Sequence, residues 1–136
     1  MSDKIFIDTN VLVYAYTSGD IEKHEAAKHF LQYSNNALVI STQVLNEFYN
    51  ALSKFKIKHD VIVSIITEIS NFCDVKSVEL KTVKTALALK KRYDFSYWDC
   101  LVLSAALEND CKKIISEDMQ DEQIIENSLK ITNIFK

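Results

Sequence analysis

Short apolar runs alternate along this chain with longer segments in which apolar positions recur every three or four residues, and that alternation predicts strands separated by helices. Lys4–Ile7 reads as a short buried strand, and Thr9–Tyr16 as the turn and helix that follow it. Residues 23–33 place Ala26, Ala27, Phe30 and Leu31 at helical spacing until Asn35 and Asn36 interrupt the pattern before a strand at Leu38, Val39 and Ile40. Ser41 or Thr42 is positioned to cap a helix whose apolar face is Val44, Leu45, Phe48, Leu52 and Phe55. Asp60 is the expected cap of the next helix, which carries Val61, Ile62, Ile65, Ile66, Ile69 and Phe72. An extended piece at Asp74–Ser77 leads to a helix from about Glu79 to Tyr93 and to another from Ser96 through Leu107. Lys113–Ser116 then predicts a strand, Glu122–Asn127 a last short helix, and Lys130–Thr132 a closing strand.

Strands repeatedly separated by helices imply crossover connections and a mostly parallel sheet covered on both faces. The predicted fold class is therefore α/β, a three-layer α/β/α arrangement with short strands. Residues 1–136 form one domain, since a chain of this length supports a single core and shows no repeat or linker. With one Gly and no Pro, segment boundaries must come from periodicity and caps. In such sheets ligands bind beyond the carboxyl ends of the strands near a topological switch point, so the residues just after each strand are the first to read.

Four acids stand at or near such positions. Asp8 follows Ile5-Phe6-Ile7 directly and opens Asp8-Thr9-Asn10-Val11. Glu47 lies on the second turn of the helix after the 38–40 strand, at the margin of its apolar face. Asp99 begins a helix that is apolar almost all round from Cys100 to Leu107, so its carboxylate is bound for the interior unless Ser96 and Asp99 form only a capping box. Asp118 follows the 113–116 strand in Ser116-Glu117-Asp118-Met119-Gln120-Asp121. Each acid alone has an ordinary explanation as a cap or a turn residue. Together they fall on one rim of one sheet. Bringing several carboxylates together out of bulk water costs several kcal/mol per ion unless each is paired, and these segments contain no basic residue to serve. An oxygen-only ligand set without a His or Cys cluster suits Mg²⁺ or Mn²⁺ better than zinc.

Composition changes this picture little. The chain is 48% hydrophobic and 26% charged, outside the disordered regime. Its net charge of −3 at first argues against a nucleic-acid partner. Setting aside four acids that share a cation leaves the remaining charges nearly balanced, so a polyanionic partner stays open. No apolar run is long enough to span a bilayer and the first ten residues lack the apolar core of a signal peptide, so a cytoplasmic location with no membrane association is expected. Cys73, Cys100 and Cys111 show no CxxC spacing and read as reduced packing residues.

These motifs together resemble the PIN-domain ribonucleases, and within them the VapC-type toxins of toxin–antitoxin pairs. The resemblance runs from Ile7-Asp8-Thr9-Asn10-Val11-Leu12 through Thr42-Gln43-Val44-Leu45-Asn46-Glu47-Phe48-Tyr49 and Trp98-Asp99 to Ser116-Glu117-Asp118. It implies a PIN-like fold, an acidic cluster of Asp8, Glu47, Asp99 and Asp118, and supporting roles for Asn10 and Ser116. It further implies Mg²⁺ or Mn²⁺ as cofactor, with metal held by Asp8, Asp99 and Asp118. The activity implied is cleavage of RNA, with a homodimeric state and a cognate antitoxin as partner. Relatives often carry Gly where this chain has Glu122, which leaves Asp121 as an alternative to Asp118; Asp118 is favoured because it is nearer the strand end.

RNA contacts are expected from basic groups beside the acidic rim: Lys54, Lys56 and Lys58 after the Glu47 helix, and Lys90, Lys91 and Arg92 before Trp98. The plainer reading of both runs is solvated helix ends. Tyr14, Tyr93, Tyr97 and Trp98 could stack on unpaired bases, although aromatic residues usually belong to the core. His24, His29 and His59 have no metal spacing with the acids. The helices at 44–55 and 61–72 hold more apolar residues than one face needs, which suggests a dimer surface or an antitoxin groove. Competing readings are a catalytically inactive PIN-like binding module, a metal-dependent nuclease acting on DNA, and a receiver-like Mg²⁺-binding phosphoacceptor. The last wants adjacent acids in the first loop, where this chain has Asp8 alone.

Overall fold

Ile5, Phe6 and Ile7 are all buried, as are Leu38 to Ser41, Ile114 and Ile115. Side chains of successive strand residues point to opposite faces, so unbroken burial means that the sheet is covered on both sides. The computed structural model describes residues 3–136. In chain order it contains β1 (Lys4–Ile7), α1 (Thr9–Tyr16), α2 (Ile21–Tyr33), β2 (Ala37–Ser41), α3 (Thr42–Lys54) and α4 (His59–Phe72). There follow β3 (Asp74–Lys76), α5 (Leu80–Arg92), α6 (Tyr97–Glu108), β4 (Lys113–Ile115), β5 (Ile124–Ile125) and β6 (Leu129–Thr132).

The sheet order is β3-β2-β1-β4-β6-β5, parallel at every junction except β5–β6. The chain builds outward from β1 through β2 to β3 and then continues on the other side of β1 with β4. That reversal makes the β1–β4 junction the switch point. There Phe6 pairs with Ile114 and Ile7 with Ile115, and the Asp8 N–H donates to the Ile115 carbonyl at 3.0 Å. The ends of the two strands are thereby held side by side.

Caps fix where the helices near this edge begin. The Asp8 carboxylate accepts from Thr9 N–H at 2.8 Å, Ser41 Oγ from Val44 N–H at 3.3 Å, and Ser96 Oγ from Asp99 N–H at 3.1 Å. Helix α6 is sequestered: every residue from Cys100 to Ala106 is buried, and the one hydroxyl among them, on Ser104, donates to the Thr82 carbonyl at 2.7 Å. The three cysteines are buried free thiols. Burial pushes Cys73 and Cys111 up to about 12, which leaves them unreactive.

Three expectations are corrected. The segment 122–127 is not a helix but the first arm of a β5–β6 hairpin, because Glu122, Glu126 and Asn127 take left-handed φ values of 72°, 51° and 61°. Asn visits that region more readily than most residues, whereas the two Glu take it without such a preference. Helix α4 starts at His59 after Lys58, with no side-chain cap, and Asp60 sits inside its first turn, where a negative charge suits the dipole. Phe55 does not continue the apolar face of α3: it is the C-cap and is 59% exposed. Among the described residues no helix is long and apolar enough to cross a membrane.

Candidate active site

Four elements bring the acids to one place. Asp8 ends β1, Glu47 projects from α3, Asp99 from the first turn of α6, and Asp118 from the loop after β4. All four line one cavity of about 370 Å³ beyond the switch point, together with Thr9, Asn10, Tyr14, Phe55 and Trp98. No basic side chain lines it, and none of the four acids takes part in an ion pair among the described residues.

Neutral donors hold the carboxylates instead. Ser116, itself fully buried, donates its hydroxyl to Asp8 Oδ2 at 2.7 Å and accepts from the Asp118 N–H at 3.2 Å. Asn10 Nδ2 donates to Asp118 Oδ2 at 2.9 Å and lies 3.4 Å from Asp8 Oδ2, while its own oxygen accepts from the Glu117 N–H at 3.3 Å. Thr9 Oγ1 donates to Glu47 Oε1 at 3.2 Å. Asp99 accepts no hydrogen bond from the Ser96 backbone, so a capping box is only half formed and the carboxylate remains on the cavity.

The electrostatics follow from that geometry. Burial raises Asp8 to about 7, against the pull of Ser116 and Thr9, and repulsion from Asp118 and Asp99 adds to the rise. Glu47 is also raised, first by burial and then by Asp99 and Asp118, with Thr9 opposing. Asp99 is raised by burial and by Asp118, with Ser96 opposing. Mutual repulsion without a compensating cation leaves negative charge concentrated in a partly dry cavity.

A hard divalent ion fits that charge and that all-oxygen donor set. The spacing is open: among the described residues no three acid, imidazole or thiol side chains stand close enough to enclose one ion. The fit is thus one of chemistry and location, with the carboxylates arranged around a shared space.

A family model of the PIN domain matches residues 5–124, which takes in Asp8, Glu47, Asp99 and Asp118. The chain belongs to the PIN domain family. Solved structures share the fold at low identity. One is the Mycobacterium tuberculosis VapC20, described as a Sarcin-Ricin loop cleaving toxin, with a TM-score of 0.70, 21% identity, and coverage of 81% of this chain and 86% of that one. A second is VapBC2 from Rickettsia felis bound to a DNA fragment from their promoter, with a TM-score of 0.70, 20% identity, and coverage of 96% and 98%. A third is a toxin-antitoxin complex from Klebsiella pneumoniae, with a TM-score of 0.70, 18% identity, and coverage of 96% and 97%. No curated protein sequence matches the chain.

Other residues singled out from sequence fall elsewhere in this PIN domain. Asp121 does not reach the cavity: its carboxylate accepts from the Asn133 N–H at 2.8 Å and from Lys136 Nζ at 3.2 Å. Arg92 is paired with Glu126, whose other oxygen accepts from Tyr93 OH at 2.9 Å. Lys54 and Lys56 are exposed on either side of Phe55, without lining the cavity themselves.

Sequence reasoning missed a brace behind the site. Tyr14 OH donates to Glu117 Oε1 at 2.6 Å, Lys23 forms an ion pair with Glu117 and sits 5.1 Å from the Tyr14 ring centroid, and Phe135 packs edge-on against Tyr14. It ties α1, α2 and the chain end to the 116–118 loop. No local pattern announces it, because Tyr14 and Glu117 lie 103 residues apart.

Proposed function

We propose that this PIN domain is a metal-dependent endoribonuclease and the toxin of a type II toxin–antitoxin pair, with Asp8, Glu47, Asp99 and Asp118 as its catalytic carboxylates. The observation that carries the reading is the gathering of four acids without a cationic partner in one cavity at the switch point. PIN domains as a family are nucleases.

Mg²⁺ or Mn²⁺, when bound, supplies Lewis acidity that offsets charge on a phosphate and makes water a better nucleophile at neutral pH. Asp8, Asp99 and Asp118 are the residues that would hold it, with water completing a shell that the three side chains do not close by themselves. Ser116 fixes the rotamer of Asp8 through the 2.7 Å bond to Oδ2, and Asn10 does the same for Asp118. Glu47 Oε1, kept in place by Thr9, is the oxygen assigned to orient the attacking water. Lys54, Lys56 and Arg92 are assigned to the RNA backbone, for which Arg92 must exchange its pairing with Glu126 for a phosphate.

RNA as substrate rests on the resemblance and on the neighbour described as a Sarcin-Ricin loop cleaving toxin. The antitoxin partner rests on the two neighbours that are toxin–antitoxin assemblies. Val61, Val63 and Phe72 on α4 are exposed, and with Tyr49 on α3 they offer apolar surface for a second copy or an antitoxin. A homodimer is the expected solution state, and a monomer mass by light scattering at micromolar concentration would refute it.

The decisive experiment incubates purified protein with total RNA in Mg²⁺, in Mn²⁺ and in chelator, beside Asp8→Asn and Asp99→Asn. Discrete cleavage ends that require metal and vanish in both variants are expected. Cleavage that persists in chelator, or full activity in Asp99→Asn, overturns the site; no cleavage by the native chain on any RNA favours an inactive binding module.

A further inference from the structure

The rim of the carboxylate cavity carries two large aromatic side chains in solvent. Phe55 is 59% exposed and Trp98 57% exposed, and both line the cavity. The other aromatic residues considered for stacking are committed: Tyr14 to Glu117, Tyr93 to Glu126, and Tyr97 to the core, against which it is packed.

Phe55 is held outward by the way α3 ends. Spacing from Phe48 and Leu52 would put it on the buried face if the helix continued. Instead Lys56 adopts φ 62°, its N–H donates to the Ser53 carbonyl at 2.9 Å, and the Ile57 N–H donates to the Leu52 carbonyl at 3.3 Å. This is the paired-bond Schellman termination, which normally places Gly at the left-handed position and packs the residue after it on the last helical turn. Here Ile57 takes the apolar contact with the core, and Phe55 is left at the cavity mouth. The termination uses Lys where Gly is less strained, and it leaves Lys54, Lys56 and Lys58, all exposed, close to Phe55 along the chain.

Trp98 comes from a different helix. It sits in the first turn of α6, next to Asp99, with its ring 5.4 Å from that of Tyr97 in an edge-on contact. An aromatic ring beside a carboxylate cluster and a second whose chain neighbours are exposed lysines suit a ligand with a flat π-face and an anionic backbone. A base inside a duplex has its faces already stacked on its neighbours, whereas an unpaired base offers both.

We propose that Phe55 and Trp98 form an aromatic subsite that stacks on an unpaired base next to the phosphate at the carboxylates. The proposal rests on the nuclease reading for its substrate class, and its test is read without cleavage.

Trp98 is the only tryptophan in the chain, so its emission reports on the subsite directly. The full-length protein in chelator is titrated with a short unpaired RNA oligonucleotide and with the same strand annealed to its complement, following Trp98 fluorescence and, in parallel, the anisotropy of a label on the RNA. The unpaired strand should quench Trp98 saturably and the duplex should not. Phe55→Ala should weaken binding of the unpaired strand by roughly 5- to 150-fold, the range for losing one base–aromatic stack. Phe55→Leu keeps apolar bulk without a π-face and should behave as Phe55→Ala does, while Phe55→Tyr should bind as the native chain does.

No binding of the unpaired strand, binding without quenching, equal quenching by duplex, or native affinity in Phe55→Leu would each overturn the subsite. Metal-dependent cleavage combined with any of these results leaves the nuclease reading intact. Quenching and the Phe55 effect without cleavage in Mg²⁺ or Mn²⁺ leave the subsite intact and refute the nuclease.

Discussion

Replacing Asp8 by Asn should stabilise the metal-free protein while abolishing its response to metal. A carboxyl lifted from 3.8 to about 7 by burial and by neighbouring acids costs the folded state about 4 kcal/mol once ionised, at 1.36 kcal/mol per pH unit. The amide removes that cost but turns one of two acceptor oxygens into an NH2 group among donors, the Thr9 N–H and the Ser116 hydroxyl, which worsens those contacts by about 1–2 kcal/mol. A net gain of about 2–3 kcal/mol remains. For a domain of this size that corresponds to a rise in Tm of roughly 6–12 °C. The sign depends on pH. Between about pH 4 and pH 7 the folded carboxyl keeps a proton that the unfolded one has lost, so native stability falls with rising pH across that window relative to the Asn variant. The two proteins should therefore differ little from charge below pH 4 and differ most above pH 7. Urea or thermal unfolding in chelator from pH 4 to 8.5 measures the gap. Added Mg²⁺ or Mn²⁺ should then raise the native Tm, by about 2.7 kcal/mol equivalent at a hundredfold excess over Kd, and leave Asp8→Asn unmoved. A gap that does not change with pH, or a variant less stable than the native chain at pH 8, refutes the assignment of uncompensated charge to this site.

Lys56→Gly should stabilise the fold by about 0.5–1 kcal/mol in urea unfolding, since the left-handed penalty at φ 62° exceeds the added chain entropy of Gly; a loss would mean that Lys56 makes a compensating contact. Glu126 is held below the usual carboxylate range by Arg92 and then Tyr93, so it contributes stability above its unfolded value of 4.5 that is lost as pH falls through its lower folded value. Glu126→Gln should accordingly flatten the acid limb of the stability profile below the unfolded value of 4.5, as measured by thermal unfolding. Phe48, fully buried and edge-on to Tyr16 at 6.0 Å, should cost about 3–5 kcal/mol on substitution by Ala, read as a lower urea midpoint with an unchanged slope.

Periodicity and strand-end position made most of this molecule legible, and the failures have particular causes. Ile5-Phe6-Ile7 and Leu38-Val39-Ile40 declare buried strands because consecutive apolar residues suit a sheet covered on both faces. The short segment 122–127 does not declare itself: two isoleucines among Glu, Gln and Asn fit a helical turn and a strand equally, and left-handed residues that no Gly marks decide the outcome. Phe55 was misread for a related reason, since apolar spacing cannot reveal that a left-handed Lys ends the helix one residue earlier. For the site, strand-end reasoning found Asp8 and Asp118, the apolar helix found Asp99, and Glu47 came from its place at the edge of a helical face. All four line the cavity. What sequence could not separate was Asp118 from Asp121, three residues apart in one acidic turn; the chain's return to Asn133 and Lys136 commits Asp121 elsewhere.

The choice of partners for the four acids carries the strongest physical argument. Lys23 lies one layer behind the cavity, yet it pairs with Glu117, which faces away from the carboxylates and is held below its usual range as a result. Ser116, Asn10 and Thr9 meanwhile orient Asp8, Asp118 and Glu47 without neutralising them. A fold optimised only for stability would reverse these assignments, placing the cation against Asp8, the one of the four acids that is buried, and the hydroxyl on the half-buried Glu117, because an unpaired buried charge is among the costliest features a core can hold. Neutral donors in contact and a cation withheld keep each carboxylate aimed and its charge available. That arrangement is stable only because α6 and the central strands bury so much apolar surface directly beneath it, and it leaves a divalent ion as the ligand that gains most by arriving.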